Sequence, residues 1–556
     1  MTVDSNALDL AQWDWAQIVS TTFIVLDYTI KVIAVGVVPE NRRPSSSSAW
    51  LLLILFLPVV GIPLFLMLGS PYITGRREKI QEEANTRLQQ GTVDIPDWPS
   101  ALGVPEMFGG LVTLNRNLTY LPMVTGTDHG VRTDYEENIR VMAGAVDEAD
   151  DYVDVCMYIM TADATTEPFL AALERAAARG VKIRVMFDHL GSRKYAGFRP
   201  LKRRLDAAGI DWSLMLPFQP LKGRVRRVDL RNHRKLMVVD GTRAFMGSMN
   251  MIESSYGSAR NAQIGRHWHD IMVELTGPIV ASLEAVFVTD WFTETGEDLT
   301  IRAYDAAERL QEREVAIGQR LTTGRGVSAE RDRSGRLVTA DEAKTRTAES
   351  SDRASGPSVT SGPSVTSVPS DSELNAVQVI PSGPGFRTQP NLRLFVSLVY
   401  LAQKRLRIVS PYFVPDESML AAVITAAHRG VEIELYVSEQ ADQFMVDHAQ
   451  SSYYEALLEA GVRIYRYPAP KVLHTKCFTV DDLCSVMGSS NMDMRSFGLN
   501  YEVSLLAYGG DITEGLHGIM DAYRSVSSEL TADEWEERSW GRRWLDSAMR
   551  LTSALQ

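Results

Sequence analysis

One motif occurs twice in this chain, and it constrains the fold more than any other feature. HRKLMVVDGTRAFMGSMN begins at His233, and HTKCFTVDDLCSVMGSSN begins at His474. In both copies a lysine follows the histidine two positions later, an aspartate comes five residues after the lysine, and Gly-Ser-x-Asn ends the motif. The chain is therefore expected to contain two equivalent units.

The segments around the two motifs predict the same order of strands and helices. The first half reads as strand DYVDVCMYIM, helix EPFLAALERAAARG and strand VKIRVMFD, and the second as strand KRLRIVSPYF, helix ESMLAAVITAAHRG and strand VEIELYVS. Gly180 and Gly430, and likewise Gly209 and Gly461, stand where a helix would end, a position that favours glycine. Strands that alternate with helices are typical of a mostly parallel sheet between two helix layers. We therefore predict an α/β fold of two duplicated α/β/α sandwich halves that face each other.

The N-terminal residues 1–75 have the composition of a membrane segment. Two stretches, about 18–38 and 49–69, each supply ~20 apolar residues, the length that crosses a ~30 Å hydrocarbon core. The charges within the first stretch, Asp27 and Lys31, stand four apart and can pair on one helix face. We predict a transmembrane hairpin of two helices. The prolines of the second stretch also fit a re-entrant hairpin, and a pair of buried core helices is the alternative.

Composition sets the remaining boundaries. Residues 76–130 are predicted as a juxtamembrane connector, 131–299 as the first half, 300–376 as a flexible, disordered linker and 377–556 as the second half. No aromatic residue occurs in 305–385, and Gly-Pro-Ser-Val-Thr-Ser is repeated in tandem there. Such a sequence buries too little apolar surface to offset the entropy of ordering.

The charge balance and the cysteines argue against several classes of protein. A formal net charge of −13 disfavours a general nucleic-acid binder, which usually carries a basic surface. Cys156, Cys477 and Cys484 cannot build a disulfide framework, and their spacing fits no zinc site. The run HWHD at 267–270 resembles a metal site only superficially, and an exposed strand entry explains it better.

Each motif brings an imidazole and an ammonium group to one point. Residues i and i+2 of a strand lie on the same face, so His233 projects with Lys235, and His474 with Lys476. Two such sets suit a phosphodiester, whose non-bridging oxygens attract cations and hydrogen-bond donors. One imidazole would attack phosphorus and the other would protonate the leaving alcohol, and the symmetry of the sequence does not choose between them. No metal or cofactor is required, because the lysines supply the positive charge.

The predicted site includes further residues of each half. The catalytic set is His233, Lys235, Asp240, His474, Lys476 and Asp481. The set that supports it and binds phosphate is Ser248, Asn250, Asp270, Ser489, Asn491 and Glu502. The glycine before each of the two serines would let the backbone approach a ligand closely. Asp270 and Glu502 are candidates to orient the imidazoles by accepting from their second nitrogens.

These motifs resemble the phospholipase D superfamily, and further stretches resemble its branch of bacterial cardiolipin synthases. GSSNMDMRSFGLNYE and NHRKLMVVDG look like the two motifs of the branch, VQVIPSGPG and SPYFVPDE like the segments that open its second half, and NRRPSSSSAWLLLILFLPVVGIPLFLMLG like its N-terminal membrane hairpin. The resemblance covers nearly all of the chain except the linker and is poor at 123–135. It implies that each half is phospholipase D-like.

The resemblance implies a membrane-bound phosphatidyltransferase. One phosphatidylglycerol would give its phosphatidyl group to His233, with His474 as acid and base, and a second phosphatidylglycerol would accept it, giving cardiolipin and glycerol. The expected partners are anionic phospholipids and the bilayer of a bacterial cell membrane, with the catalytic part on the cytoplasmic side and no nucleic acid. A hydrolytic phospholipase D of the same fold and a catalytically silent lipid-binding scaffold are the alternatives. The sequence does not determine the acceptor alcohol or the oligomeric state.

Overall fold

The computed structural model describes residues 15–40, 44–69, 76–99, 104–219, 224–225, 227–299, 329–331, 337–339, 375–386 and 388–553. The chain divides into two compact units, residues 1–73 and 74–556. Most of the predicted linker, 300–376, lies outside the described residues. Within it, Ala329–Arg331 pairs antiparallel with Leu337–Thr339.

The N-terminal unit contains three helices, Trp15–Val37, Pro44–Phe56 and Pro58–Leu68. Among the described residues, Ile18–Val37 alone is long and apolar enough to cross a membrane as one helix. The ion pair predicted on this helix is present, since Lys31 Nζ lies 2.7 Å from a carboxylate oxygen four residues earlier.

The predicted second span, 49–69, is divided between two helices, so the structure does not show the second arm of the hairpin as one spanning helix. The helix breaks at Leu57, which has φ −133° and ψ 64°. The cause is Pro58, because proline disfavours the helical conformation at the residue before it. The N-terminal unit thus has one helix of membrane-spanning length followed by two shorter apolar helices.

The second unit contains the elements that build the two halves. Its helices are Arg76–Thr92, Glu106–Thr119, Tyr135–Asp147, Glu167–Ala178, His189–Arg193, Phe198–Ala207, Ala259–Gln263, Ile279–Thr295, Pro390–Leu401, Glu417–His428, Phe444–Glu459, Met494–Gly498, Gly510–Val526, Ala532–Glu536 and Trp540–Arg550. Besides the sheet strands given below, it has short strands at Phe218–Gln219, Arg224–Val225, Arg231–Asn232, Trp268–His269, Phe413–Val414, Val472–Leu473 and Met492–Asp493.

One large sheet runs through both halves. From edge to edge its order is Ser528–Leu530, Arg463–Tyr467, Glu432–Ser438, Arg405–Val409, Cys477–Val480, Cys484–Gly488, Asn500–Tyr508, Asn375–Ser382, Met123–Arg132, Met272–Thr276, Arg243–Gly247, Leu236–Val239, Tyr152–Met157, Lys182–Asp188 and Asp211–Met215. Apart from the edge strand Ser528–Leu530, the order is symmetric about the middle pair, Asn375–Ser382 and Met123–Arg132, which are antiparallel. The two duplicated α/β halves are confirmed, and they are joined edge to edge in a single sheet.

The sheet is mixed, so the prediction of a mostly parallel sheet is wrong. Parallel pairing joins Tyr152–Met157, Lys182–Asp188 and Asp211–Met215, and the same arrangement recurs in the second half. The two strands of each repeated motif and the strands beyond them pair antiparallel. A short turn joins the strands of each motif, and such a connection permits only antiparallel pairing.

The first half begins earlier than predicted. Met123–Arg132 pairs with Met272–Thr276, just as Asn375–Ser382 pairs with Asn500–Tyr508 in the second half. The halves therefore begin near residues 123 and 375, where the sequence predicted 131 and 377. The poor resemblance at 123–135 hid a strand that the duplication requires.

Each half has its own apolar core. Helix Glu106–Thr119, which falls in the predicted connector, packs Phe108 and Val112 into the core of the second half. This part of the predicted connector therefore belongs to the second unit, residues 74–556, which is called the catalytic unit below, because these side chains are fully buried there.

The glycines predicted at helix ends adopt the left-handed conformation that this position favours. Gly180, Gly209, Gly430 and Gly461 have φ of 92°, 67°, 89° and 90°. This prediction is confirmed in both halves.

Candidate active site

The repeated motif places its histidine and lysine just before a buried strand in each half. His233 and Lys235 precede Leu236–Val239, and His474 and Lys476 precede Cys477–Val480. The lysines are 0% and 2% exposed. Each lysine Nζ donates to the carbonyl oxygen of its own histidine, at 2.6 Å from Lys235 and 2.5 Å from Lys476.

The two histidines are held by backbone from the opposite half. The His233 amide donates to the carbonyl of Tyr501 at 2.8 Å, and the His474 amide donates to the carbonyl of His269 at 2.8 Å. Short parallel ladders beside them join the halves, one of them between Trp268–His269 and the strand before His474. The HWHD run is therefore a strand entry that contacts the second motif.

Each imidazole is also oriented by a carboxylate from the opposite half. His233 Nδ1 lies 3.1 Å from each oxygen of Glu502 and 2.9 Å from the carbonyl oxygen of Ser489. His474 Nδ1 lies 2.7 Å from Asp270 Oδ1. The crossed pairing brings both histidines, both lysines and both carboxylates together at the junction of the halves.

The tautomer of His233 follows from these contacts. A backbone carbonyl only accepts hydrogen bonds, so the neutral imidazole carries its proton on Nδ1, which donates to Ser489 O. Nε2 then keeps its lone pair and is free to act as a base or nucleophile. His474 has the same orientation, with its Nδ1 directed at Asp270.

The serines of Gly-Ser-x-Asn contact the neighbouring strand. Ser489 Oγ donates to Glu502 Oε2 at 2.5 Å and accepts from the amide of Val503 at 2.9 Å. Ser248 Oγ accepts from the amide of Ile271 at 3.0 Å. These hydroxyls stabilise the strands that carry the orienting carboxylates, which agrees with the supporting role in the predicted set; phosphate binding by them stays a prediction.

The glycines before the serines have a packing role. A Cβ at Gly247 would collide with the carbonyl of Ile271, and a Cβ at Gly488 with the carbonyl of Val503. The absent side chain therefore lets the neighbouring strand approach. Close approach of a ligand, which the sequence suggested, stays a prediction.

The two asparagines of the motif differ. Asn250 is engaged on both sides, because its Nδ2 donates to Tyr256 Oη at 2.7 Å and its Oδ1 accepts from the Ile159 amide at 3.2 Å. Asn491 is 4% exposed, and its Oδ1 has no hydrogen-bond partner among the described residues. Asn491 is thus the asparagine with spare hydrogen-bonding capacity at the site.

Asp240 and Asp481, which the sequence grouped with the catalytic residues, are not brought to the histidines. Asp240 lies beyond the far end of Leu236–Val239, and its carboxylate accepts from the amides of residues 150, 151 and 152. Asp481 accepts from the amides of residues 403, 404 and 405 in the same way. Five residues of extended chain separate each aspartate from its lysine, roughly 17 Å. Both aspartates cap the loop before the first parallel strand of their half.

The burial of the lysines determines the electrostatics of the site. Burial, with the neighbouring ammonium of Lys476, lowers the pKa of Lys235 to about 7. Burial lowers the pKa of Lys476 to about 8, and the nearby carboxylates oppose that effect. A buried ammonium group gains from an anionic ligand, so the pair favours binding of a phosphodiester.

Burial also keeps the imidazoles neutral. It lowers the pKa of His233 to about 4, although Glu502 acts in the opposite direction. Burial lowers the pKa of His474 as well, against the raising effect of Asp270. Burial alone would raise the pKa of both carboxyls, but each falls below its usual value because of the adjacent histidine.

Two functional candidates escaped the sequence analysis. The Tyr158 ring lies 4.8 Å from the His233 ring, and Lys235 Nζ lies 5.3 Å from the centre of that tyrosine ring. Arg234, between the histidine and the lysine, pairs with Asp290 and donates to Glu502 O at 3.0 Å. Side chains alternate along a strand, so the sequence predicts that Arg234 points away from His233 and Lys235. The neighbouring sequence does not show that Arg234 contacts Asp290 and Glu502.

Comparison with known proteins agrees with this geometry. The family model "Cardiolipin synthase, PLD-like domain" matches residues 142–291 and 396–523, and the model "Phospholipase_D-nuclease N-terminal" matches residues 29–70. Cardiolipin synthase A of Proteus mirabilis is 28% identical over 545 residues, which cover 97% of this chain and 96% of the relative. Cardiolipin synthase of Halalkalibacterium halodurans is 28% identical over 559 residues, which cover 99% and 97%.

A solved structure supports the fold. The crystal structure of phosphatidylserine synthase from Haemophilus influenzae aligns with a TM-score of 0.52 at 16% identity, covering 82% of this chain and 100% of the other. The two matched domains and the relatives that align over nearly the whole length assign the family. The chain belongs to the cardiolipin synthases of the phospholipase D superfamily.

Proposed function

We propose that this protein joins two phosphatidylglycerol molecules into cardiolipin and releases glycerol. The observation that carries the proposal is the pair of buried His–Lys sets, each oriented by a carboxylate from the opposite half. Relatives named cardiolipin synthase that align over nearly the whole chain support the same reaction.

In the first step His233 Nε2 attacks the phosphorus of one phosphatidylglycerol. The new P–N bond forms as the P–O bond to the glycerol headgroup breaks, and His474 gives its Nε2 proton to the departing oxygen. Glu502 then lies against an imidazole that has become electron-poor, and its negative charge stabilises the phosphohistidine.

In the second step the terminal hydroxyl of another phosphatidylglycerol replaces His233. His474 takes the hydroxyl proton as the new P–O bond forms and the P–N bond breaks. The product is cardiolipin, and both histidines return to their starting states. Since the acceptor is a second lipid, water must be excluded from the intermediate, and the buried junction of the halves favours that exclusion.

The lysines bind the non-bridging oxygens of the phosphate throughout. Their positive charge balances the negative charge that grows on these oxygens in the five-coordinate transition state. Asn491, which is buried in the second motif, offers its amide nitrogen as a further donor to these oxygens.

The roles of the two histidines are assigned on electrostatic grounds. A nucleophile must be neutral, and burial lowers the pKa of His233 to about 4. An acid must hold a proton, and His474 has the closer carboxylate, at 2.7 Å. A bound phosphodiester anion raises the pKa of both imidazoles, and this effect allows His474 to become charged once substrate is present.

The test is a product assay with the full chain in liposomes of phosphatidylglycerol. Cardiolipin and glycerol in equal amounts are expected. Phosphatidic acid with glycerol would contradict the proposal, because that outcome means that water, and not a second lipid, accepts the phosphatidyl group. The variant Lys235→Met in the same liposomes controls for activity of contaminating enzymes.

We further infer that residues 1–75 anchor the protein in a bacterial cell membrane with the catalytic unit on the cytoplasmic side. The apolar helix Ile18–Val37 supports an anchor, and basic residues at 76, 77 and 79 follow the apolar segments. A fluorescent-protein fusion at the C-terminus should fluoresce in cells. An alkaline phosphatase fusion at the same point should be inactive, and the reverse pattern would overturn the orientation.

A further inference from the structure

The C-terminal helix Trp540–Arg550 has two apolar faces. Its inner face packs on the second half, where Asp546 is 2% exposed and accepts from Arg538 and contacts His448 Nδ1 at 2.6 Å. On its outer side Trp540 and Trp544 are 74% and 60% exposed. Packing against the rest of the catalytic unit explains the residues on the inner side of this helix. It does not explain why two tryptophans are exposed on the outer side.

The outer residues form a regular stripe. Trp540 and Trp544 are four residues apart, and Leu551, which is 88% exposed, follows seven residues later, so all three lie on one side of the helix. Helical spacing places Ser547 on the same line. The stripe is therefore continuous along the helix.

A second element extends this surface. Phe444 and Met445, at the start of helix Phe444–Glu459, are 66% and 45% exposed. The Phe444 ring stacks edge-on against His448 at 4.5 Å, and His448 contacts Asp546 of the C-terminal helix. Trp540, Phe444 and Trp544 are the three most exposed aromatic side chains in the described part of residues 74–556.

The C-terminal helix has more basic than acidic residues, although the chain as a whole is acidic. Arg542 and Arg543 are exposed on this helix, and Asp546, the single acid within it, is buried and paired. Glu455, Glu459 and Glu536 line the same hollow as Arg543. The chain as a whole has a formal net charge of −13. Tryptophan next to arginine is the composition that settles at the headgroup level of an anionic bilayer, where each basic residue contributes about 1 kcal/mol.

The surface also adjoins the active site. Gln443, directly before Phe444, donates to Tyr412 Oη at 2.8 Å, and that hydroxyl donates to Asp442 at 2.8 Å. The Asp442 carboxylate is close enough to Lys476 to act on the pKa of that lysine. The exposed aromatic residues thus begin one residue beyond a hydrogen-bonded group whose Asp442 carboxylate raises the pKa of the catalytic lysine.

We propose that Trp540, Trp544 and Leu551, with Phe444, Met445 and Arg543, form an interfacial docking surface that inserts into the headgroup layer of an anionic bilayer. The surface holds the catalytic unit against the membrane that contains the lipid substrates. The proposal rests on the proposed function only for the identity of those substrates, and the docking itself is measurable without catalysis.

The first experiment measures membrane contact directly in the full chain. Trp544→Cys carries a nitroxide spin label in liposomes of equal parts phosphatidylglycerol and phosphatidylcholine, and the native cysteines are all buried, so that labelling is selective. Ala178→Cys, at an exposed helix end in the first half, is the control. The label at 544 should collide with oxygen several-fold more than with a water-soluble nickel chelate, whereas the control should show the reverse.

Two other outcomes would overturn the proposal. A label at 544 as accessible to the nickel chelate as the control would place this side in water. A label shielded from both reagents would indicate contact with protein, either a second copy of this chain or another partner.

The second experiment separates docking from catalysis. The double variant Trp540→Ser/Trp544→Ser should lose roughly tenfold in turnover of dilute phosphatidylglycerol in liposomes. It should turn over short-chain phosphatidylglycerol, dissolved as monomers, at the rate of the unmodified protein. Val526→Ser removes another exposed apolar side chain and should change neither rate. An equal loss on both substrates would overturn the docking role, and failure of the unmodified protein on both would instead refute the proposed function.

Discussion

The two halves of the catalytic unit share a backbone plan but differ in the side chains around their histidines. In both, the histidine amide bonds to a carbonyl of the opposite half, and the lysine bonds to the carbonyl of its own histidine. His233, however, faces both oxygens of Glu502 and the carbonyl of Ser489. His474 faces one oxygen of the shorter acid, Asp270, at a closer 2.7 Å.

This difference teaches how a duplicated fold can divide one reaction. The backbone supplies two equal positions for an imidazole, and the side chains then bias each position toward a different protonation state. Burial with a backbone carbonyl as acceptor favours a neutral His233, whereas the carboxylate 2.7 Å from His474 works against the lowering of its pKa by burial. Neither half is complete alone, because each carboxylate acts on the histidine of the other half.

Removal of a histidine should have the largest effect, and the two losses should differ in kind. His233→Asn is expected to lower turnover of phosphatidylglycerol by at least about 10⁴-fold, because the nucleophile is lost. His474→Asn should be nearly as severe with that substrate. With a p-nitrophenyl phosphodiester, whose leaving group departs without a proton, His474→Asn should still form the phosphohistidine.

Rapid acid-free quenching of a radiolabelled phosphodiester reaction measures that intermediate. Label should remain on the His474→Asn protein and be absent from His233→Asn. Label on His233→Asn alone would reverse the two roles. Circular dichroism of both variants controls for folding.

Removal of a lysine should lower activity by about 10²–10³-fold, because one cation leaves the transition state.

Lys235→Met should also raise the midpoint of thermal unfolding at pH 8, and it should raise it more than Lys476→Met does. The reason is that the pKa of Lys235 falls to about 7 and that of Lys476 to about 8. At pH values between these lowered pKa values and the ordinary lysine pKa of 10.5, the unfolded chain binds more protons than the folded chain. The stability of the unmodified protein therefore rises with pH in that window, and each variant lacks this rise. Unfolding midpoints from pH 7 to 10 measure both effects, and a lower midpoint for Lys235→Met would refute the cost of its burial.

Removal of an orienting carboxylate should lower activity by about a hundredfold, and the two substitutions should move different limbs of the pH profile to lower pH. Each carboxylate raises the pKa of its histidine, so each substitution lowers that pKa. Asp270→Asn should move the alkaline limb of kcat/KM to lower pH, because His474 then loses its acidic proton earlier. Glu502→Gln should move the acid limb to lower pH, because His233 then stays neutral further into acid.

The two profiles therefore narrow in one variant and widen in the other. The pH dependence of kcat/KM from pH 4 to 9 checks this contrast. Shifts of the same limb in both variants would show that the carboxylates do not act on separate histidines.

Local patterns in the sequence were enough to predict the duplicated units, the helix ends and the pairing of each histidine with a lysine. Side chains repeat every two residues along an extended chain, and this period predicts that His233 and Lys235 lie side by side. The positions directly after predicted helices identify Gly180 and Gly430 as helix-ending residues. The crossed assignment of Asp270 and Glu502 was out of reach, because it depends on how two distant segments pair. The same holds for strand Met123–Arg132, whose partners lie more than a hundred residues away in the chain.

The break at Leu57 was readable in principle, since proline acts on its immediate neighbour. The prediction of one spanning helix rested on the length and the apolar composition of 49–69, and neither property indicates where a helix breaks. The role of Asp240 shows the converse error. Because the histidine, lysine and aspartate recur together, the sequence suggests that all three act in catalysis. The aspartate instead accepts hydrogen bonds from backbone amides away from the histidine.

Asp240 and Asp481 should therefore give the smallest effect, and an equal one in the two halves. Each carboxylate accepts from three consecutive backbone amides at the start of a buried strand. Asp240→Ala and Asp481→Ala should each lower the free energy of unfolding by about 1–3 kcal/mol, because amides lose their acceptor. Activity per folded molecule should stay within about threefold of the unmodified protein, because the carboxylates lie roughly 17 Å along the chain from the catalytic lysines. Asn is the matched control at both positions, since both residues have φ of 50°, which asparagine tolerates, and its oxygen still accepts. Denaturant titration measures the stability, and a loss of activity without a loss of stability would return these aspartates to the catalytic set.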